Sequence, residues 1–102
     1  MIRRAGAFQS DLVDQATWIA YDSLDAADRH IAAVDETLRA LEKLPRMGRP
    51  WRSRARGLRG VRTRAVREFP NHLIFYRPID GGVEALRLLH AARDLGRALR
   101  EP

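Results

Sequence analysis

Residues 72–90 read HLIFYRPIDGGVEALRLLH, and this stretch decides the fold. From His72 to Ile79 the side chains are mostly aromatic or branched, the kind that fit a pleated, half-buried surface. Asp80-Gly81-Gly82 supplies the positive-φ positions of a tight hairpin turn. Val83 to His90 then returns as the partner strand. Pro78 has no N–H to give to a ladder, so it is expected near the end of its strand.

Working back from this hairpin, Val61-Arg62-Thr63-Arg64-Ala65 alternates with period two and predicts a third strand with one cationic face. Phe69-Pro70-Asn71 is the expected turn between them. Further upstream, Ala27, Ile31, Val34, Leu38 and Leu41 step by four, three, four and three, an apolar helical stripe that Leu44 extends and Pro45 stops. The stripe is shorter than three heptads, which favours packing into a core over a coiled-coil dimer. Before it, Leu12, Ala16, Ile19 and Ala20 recur at helical spacing between Ser10 and Asp22, with Val13 and Trp18 broadening the face. Ser10 is the expected N-cap, with Asp11 at the positive end of the helix dipole. The break at Asp22-Ser23-Leu24-Asp25 is so short that the two helices must run antiparallel.

Residues up to Phe8 predict a weak strand, and Ala92–Leu99 a short terminal helix that frays at Glu101-Pro102. The expected fold is α+β over residues 1–102: a weak N-terminal strand, an antiparallel helical hairpin packed on an antiparallel three- to four-stranded sheet, and a short C-terminal helix.

Composition narrows what such a domain does. The 102 residues suffice for one domain with a thin core. No run approaches the roughly eighteen apolar residues of a membrane span. The N-terminus, Met1-Ile2-Arg3-Arg4, lacks the apolar stretch of a signal peptide. Absence of cysteine removes disulfides and thiolate metal sites together and suits a cytoplasmic protein. Nineteen basic residues stand against thirteen acidic ones, and all the basic residues but Lys43 are arginine. Nine arginines fall between Arg46 and Arg67. A genome rich in G and C explains the choice of arginine, but not its clustering; the field it creates attracts polyanions, whether nucleic acid or acidic peptide.

Several chemistries find little support. His30, His72 and His90 are far apart in sequence and belong to three different elements, which argues against a metal site. Asp80-Gly81-Gly82 reads as a hairpin turn, not a phosphate loop. No serine follows Ser53, and nothing resembles a nucleophile elbow. One catalytic option needs no cofactor: cleavage of RNA by a base and an acid, with cations on the phosphorane. Glu68 and His90 fit the first two roles, and Arg64 and Arg77 on strands fit the third. The plain alternative is a His90 that caps its strand and a Glu68 that pairs with an arginine.

The ordered set of segments is more specific than any single motif. Asp11-Leu12, Trp18-Ile19-Ala20 and Ala26-Ala27, running into Leu44-Pro45-Arg46-Met47-Gly48-Arg49, resemble the helical hairpin and loop of ParE-like toxins in the RelE/ParE superfamily. The similarity continues through Gly57-Leu58-Arg59, Leu73-Ile74-Phe75-Tyr76-Arg77, Asp80-Gly81, Leu86-Arg87-Leu88-Leu89-His90 and Arg93-Asp94. RelE-like ribonucleases carry central lysines and a tyrosine near the C-terminus. Here the single lysine is Lys43, no tyrosine follows Tyr76, and His90-Ala91-Ala92-Arg93-Asp94-Leu95 resembles the ParE ending.

The resemblance implies the toxin of a type II toxin–antitoxin system that causes growth arrest by inhibiting DNA gyrase, without cofactor, metal or membrane. It implies a cognate ParD-like antitoxin with a ribbon-helix-helix domain and an acidic C-terminal segment, through which operator DNA is met indirectly. On this reading His90, Arg93, Asp94 and Arg87 face the target, while Trp18, Tyr21, Trp51, Arg59, Arg62 and Arg64 face the antitoxin. Two alternatives stay open: a RelE-like, ribosome-dependent mRNA endoribonuclease using Glu68, His90, Arg64 and Arg77, and an inactive toxin kept as antitoxin-bound corepressor.

Overall fold

A computed structural model describes residues 1–52 and 59–98 of the chain. Arg54, Arg56, Gly57, Leu58, Leu99 and the Glu101-Pro102 end, all used in the sequence reading or its arginine count, lie outside the described residues. The elements are β1 (Ile2–Arg4), α1 (Gly6–Asp22), α2 (Leu24–Lys43), β2 (Arg49–Pro50), β3 (Arg62–Val66), β4 (Phe69–Ile79), β5 (Gly82–His90) and α3 (Ala91–Ala98). The expected α+β architecture is present: two helices packed on a sheet, with a short helix after it.

The sheet is wider than the hydrophobic pattern alone predicts. Its order is β1-β5-β4-β3-β2, with β3, β4 and β5 forming the antiparallel meander. β1 joins in parallel beside β5, Ile2 opposite Val83 and Arg4 opposite Ala85. Gly82 permits this approach, because a Cβ there would collide with the Met1 carbonyl. β2, expected as loop, adds two residues opposite Arg62 and Thr63. Gly81 takes φ +78 in the β4–β5 turn, as the Asp80-Gly81-Gly82 signal requires. Pro78 lies one residue from the end of β4, opposite Val83.

α2 begins and ends as its sequence dictates. Ser23 caps it by accepting a hydrogen bond from the Ala26 N–H at 3.1 Å, Asp25 and Lys43 complement the dipole, and Pro45 prevents extension. Ala27, Val34, Leu38 and Leu41 are buried. Ile31 is not: near the hairpin turn the buried face shifts to His30, which meets Phe69 and His72, and Ile31 remains 43% exposed.

α1 departs more from expectation. It starts at Gly6 rather than after Ser10, with Ala5 at the N-cap and no side-chain cap. Fully buried Phe8 pulls this extra turn onto the core, so Ser10 sits inside the helix and Asp11 is drawn away from the dipole toward β5. Val13 and Trp18 lie on the outer surface instead of the apolar face. The expected turn at Phe69-Pro70-Asn71 is also displaced. The chain turns at Arg67-Glu68, with Glu68 at φ 69, and Phe69 already pairs with Val66 while its ring packs edge-on to His30.

The main core joins Phe8, Val34, Leu38 and Leu41 of the helices to Ile74, Tyr76, Val83, Ala85 and Leu88 of the sheet. A smaller cluster of Val61, Phe75 and Leu89, flanked by Trp51, Leu73 and Leu86, covers the other face. Tyr76 ties the two regions of chain around β2. Its hydroxyl donates to the Pro45 carbonyl at 2.7 Å and accepts from the Gly48 N–H at 2.9 Å. Burial pushes that hydroxyl's pKa above its ordinary value, against the Gly48 bond and the charges of Arg62 and Arg64. Arg62 closes the same loop by donating to the Gly48 and Arg46 carbonyls.

Tyr76→Phe keeps the ring and strands both loop partners. It is expected to cost about 1–3 kcal/mol in urea unfolding, and to speed amide exchange at Gly48 in particular. An unchanged midpoint with a protected Gly48 amide would show that the loop is held by other contacts.

Candidate functional site

The most elaborate polar construction lies where β5 runs past β1. Asp11 and Gln15 are four residues apart on α1 and so share one helix face. The Asp11 carboxylate takes a two-pronged bond from Arg87, at 2.7 and 3.0 Å, and a third from the Leu88 N–H at 2.9 Å. Buried Gln15 donates through Nε2 to the Leu88 carbonyl at 2.7 Å. Both main-chain groups of Leu88 are therefore satisfied by helix side chains. The Asp11 hydrogen bonds raise the Arg87 pKa further, despite its partial burial.

Gln15 also fixes a histidine tautomer. With its nitrogen committed to Leu88, its oxygen lies 2.8 Å from His72 Nδ1 and can only accept, so Nδ1 carries the hydrogen. His30 Nε2 lies 3.3 Å from the same nitrogen and presents its lone pair. The three histidines, distant in sequence, are thus adjacent in space. His30 and His72 have ring centroids 4.8 Å apart, and His72 and His90 5.3 Å. They form a row with edge-on contacts; among the described residues no group of three His, Asp or Glu side chains is placed to hold a metal ion. Their distance in sequence hid this adjacency, since antiparallel pairing sets His72 opposite His90 and α2 brings His30 beside His72.

Burial lowers the His72 pKa to about 4, helped by charge on His30, His90 and Arg93 and opposed by Asp94. Burial also lowers that of His30. At the end of β5, the Asp94 carboxylate accepts from the His90 N–H at 3.0 Å. Burial pushes this carboxyl up, but the His90 bond and Arg93 outweigh it and leave its pKa below the ordinary value.

The residues expected at the target surface therefore divide. Arg87 and Asp94 are committed to internal partners, His90 is half-buried at the end of the row, and Arg93 has an exposed side chain beside Asp94. Those expected to face an antitoxin form two separate groups. Trp18 and Tyr21 stand 70% and 84% exposed on α1, near exposed Leu24 of α2. Arg59 and Arg64 are exposed at the β3 side of the sheet, where Arg62 is half-buried in its loop bonds and Trp51 packs edge-on to Phe75 at 5.2 Å.

The four candidates for RNA cleavage are not gathered round one phosphate. His90 lies opposite His72, whereas Arg77 lies opposite Glu84, five residues farther along β4 and so roughly 16 Å away. Odd spacing also puts His72 and Arg77 on opposite faces of that strand. Glu68 and Arg64 instead border a groove of about 850 Å³ with Arg49, Trp51, Arg52 and Arg67.

Sequence reasoning missed Asp11, Gln15, His30 and His72 as one cluster, and Arg49, Arg52 and Arg67 as groove residues. For Asp11 and Gln15 a signal was available: a carboxylate and an amide one turn apart, on the apolar side of a helix, require buried partners. For the groove, only the local density of arginine was visible.

The family described as "ParE toxin of type II toxin-antitoxin system, parDE" matches residues 2–95. Among solved structures, the chain is similar to "Chromosomal ParDE TA system from P. aeruginosa", with a TM-score of 0.68 and 16% identity over 87% of this chain and 92% of that one. No curated protein matches it.

The His72 environment predicts acid sensitivity. An unfolded chain binds a proton near pH 6.5, whereas folded His72 resists it down to about 4. Its contribution to stability is therefore complete above about pH 6.5 and is lost as pH falls toward 4, with His30 acting in the same direction. His72→Asn retains an N–H for Gln15 and removes the titration. The urea midpoint of the variant is expected to fall less than that of the wild type between pH 7.5 and 4.5; equal losses would exclude His72 as the cause.

Proposed function

The chain belongs to the ParE toxin family of type II toxin–antitoxin systems, and from that premise we propose that it arrests growth in the cytoplasm by binding DNA gyrase. The observation that favours a binding mechanism over a catalytic one is the dispersal of Glu68, His90, Arg64 and Arg77 along and across the sheet. General acid–base chemistry needs its groups within hydrogen-bond reach of the reacting atoms. Binding needs only a rigidly presented surface.

On this reading Arg93 is the direct target contact, and Arg87, His90 and Asp94 hold the start of α3 in position. The bond from the His90 N–H to Asp94 supports that division by fixing the junction of β5 and α3, and the bond of Arg87 to Asp11 by fixing β5 to α1 just before it. Gyrase supercoiling with purified chain is the test. Wild-type protein is expected to block supercoiling and accumulate cleaved DNA, and Arg93→Glu to weaken this at least tenfold while the fold persists. Normal supercoiling together with cut mRNA on translating ribosomes would reject the gyrase target.

The cognate antitoxin is the second partner. Trp18 and Tyr21 form an aromatic surface on the hairpin, and Arg59 and Arg64 a cationic one across the sheet. Two such patches on different elements suit a segment that folds on binding, with an amphipathic helix for the first and an acidic extended stretch for the second. Arg62 acts there by supporting the β2 side through its loop bonds, and half-buried Trp51 lies beside it, resting edge-on against Phe75. A Trp18→Ala, Arg64→Glu double variant is expected to bind antitoxin at least a hundredfold more weakly in calorimetry. Unchanged affinity would mean that the antitoxin lies elsewhere.

A further inference from the structure

The groove on the β3 side carries charge that the fold itself does not use. The ion pairs among the described residues engage the N-terminus, Arg4, Arg39, Arg87 and Arg93. Arg49, Arg52, Arg64 and Arg67 enter none of them, yet all four line this one open groove of about 850 Å³. Arg49 and Arg52 come from β2 and the residues after it, in the run Arg49-Pro50-Trp51-Arg52; Arg64 and Arg67 come from the neighbouring strand β3 and its turn. Gathering like charges without partners costs stability, and a bound polyanion relieves that cost. Among the described residues Glu68 is the one carboxylate of this lining, and Glu36 borders Arg64 and Arg67 in the adjoining hollow; two carboxylates do not neutralise four guanidinium groups.

The groove is not purely cationic. Half-buried Trp51 lies between the arginines, held by its edge-on contact with Phe75, and Pro70 and Leu73 complete an apolar lining. Cations that track a phosphate backbone, combined with an aromatic platform for bases, form the pattern by which proteins hold single-stranded nucleic acid with little sequence preference. An acidic peptide satisfies the arginines but offers Trp51 a flat π-face only where it carries an aromatic side chain, whereas every nucleotide of a single strand brings one. We infer that this groove binds single-stranded nucleic acid through its phosphates, with Trp51 stacking on a base. The site stands independently of the gyrase reading, and Arg64 places it at the margin of the surface proposed for the antitoxin.

Fluorescence anisotropy with a 5′-fluorescein-labelled single-stranded DNA 12-mer of mixed sequence tests the site. Arg64→Glu with Arg67→Glu is expected to weaken binding at least tenfold at 100 mM salt. The same variant should flatten the salt dependence by about 1.4 in slope, two phosphate contacts at roughly 0.7 each. Trp51→Ala is expected to weaken binding at least about fivefold while leaving the slope unchanged, circular dichroism establishing that it folds. Arg3→Glu with Arg29→Glu makes the same change of net charge at exposed positions outside the groove and should alter affinity less than threefold. An equal loss in this control would reduce the effect to overall charge and overturn the site. So would a glutamate-rich 12-residue peptide that displaces the DNA at equal or lower concentration, since the groove would then be a peptide site.

Discussion

A strand at the edge of a sheet exposes a row of N–H and C=O groups, and the outer edge of β5 is where this fold resolves that problem. The chain satisfies it piece by piece. The Val83 N–H donates to the Met1 carbonyl, and the Ala85 carbonyl accepts from the Ala5 N–H. After the irregularity opposite Phe75 and Tyr76, the outward positions shift from odd to even numbers. The Leu88 N–H then donates to Asp11 and its carbonyl accepts from Gln15, and the His90 N–H donates to Asp94. A strand, a helix face and the following helix thus share one edge. The placement of α1, of the histidine row and of α3 all follow from that sharing.

This edge also separates what the sequence reveals from what it conceals. The α2 stripe, its Ser23 cap, the Gly81 turn and the three central strands obey local rules, and reading those rules recovers them. Ser10 fails as a cap because Phe8, four residues after the end of β1, has a core site to fill; burial of a whole aromatic ring outweighs one capping bond. Phe69-Pro70 fails as a turn for the same reason, with Phe69 wedged against His30 and Glu68 taking the positive φ instead. β2 is too short for any periodicity to register, whereas the weak strand expected up to Phe8 is present but shorter, as β1 over Ile2–Arg4, because Phe8 belongs to α1. The histidine row escapes notice because its spacing exists only across strands and helices. The family resemblance was carried by segments in order, and order survives even where local boundaries are wrong.

The arginines show how one residue type does two kinds of work in this chain. Arg87 is spent on structure: its planar fork matches Asp11 at two points and fixes α1 to β5. Arg62 likewise holds the loop before β2 through its carbonyls. Those on the open groove meet no carboxylate in any ion pair of the described residues, so their charge is directed outward. Net charge alone does not distinguish these cases. Position relative to an acidic partner does, and sequence distance conceals it: Asp11 and Arg87 lie 76 residues apart.

That distinction bears on how a toxin is held safe by its partner. A contact that displaces internally paired charge leaves a charged or main-chain group without its partner, a loss set against whatever the new contact supplies. Unspent arginines and exposed Trp18 and Tyr21 carry no such debt, so a partner can cover them with little disruption of the fold. The edge of β5 is the converse. Asp11, Gln15 and Asp94 are saturated there, and a partner that displaced any one of them would strand a main-chain group of Leu88 or His90. The junction of β5 and α3 is thus held by internal bonds, while the exposed aromatic side chains of α1 and those of the groove arginines stay free of them among the described residues, which is the contrast on which the proposed division between target and antitoxin surfaces rests.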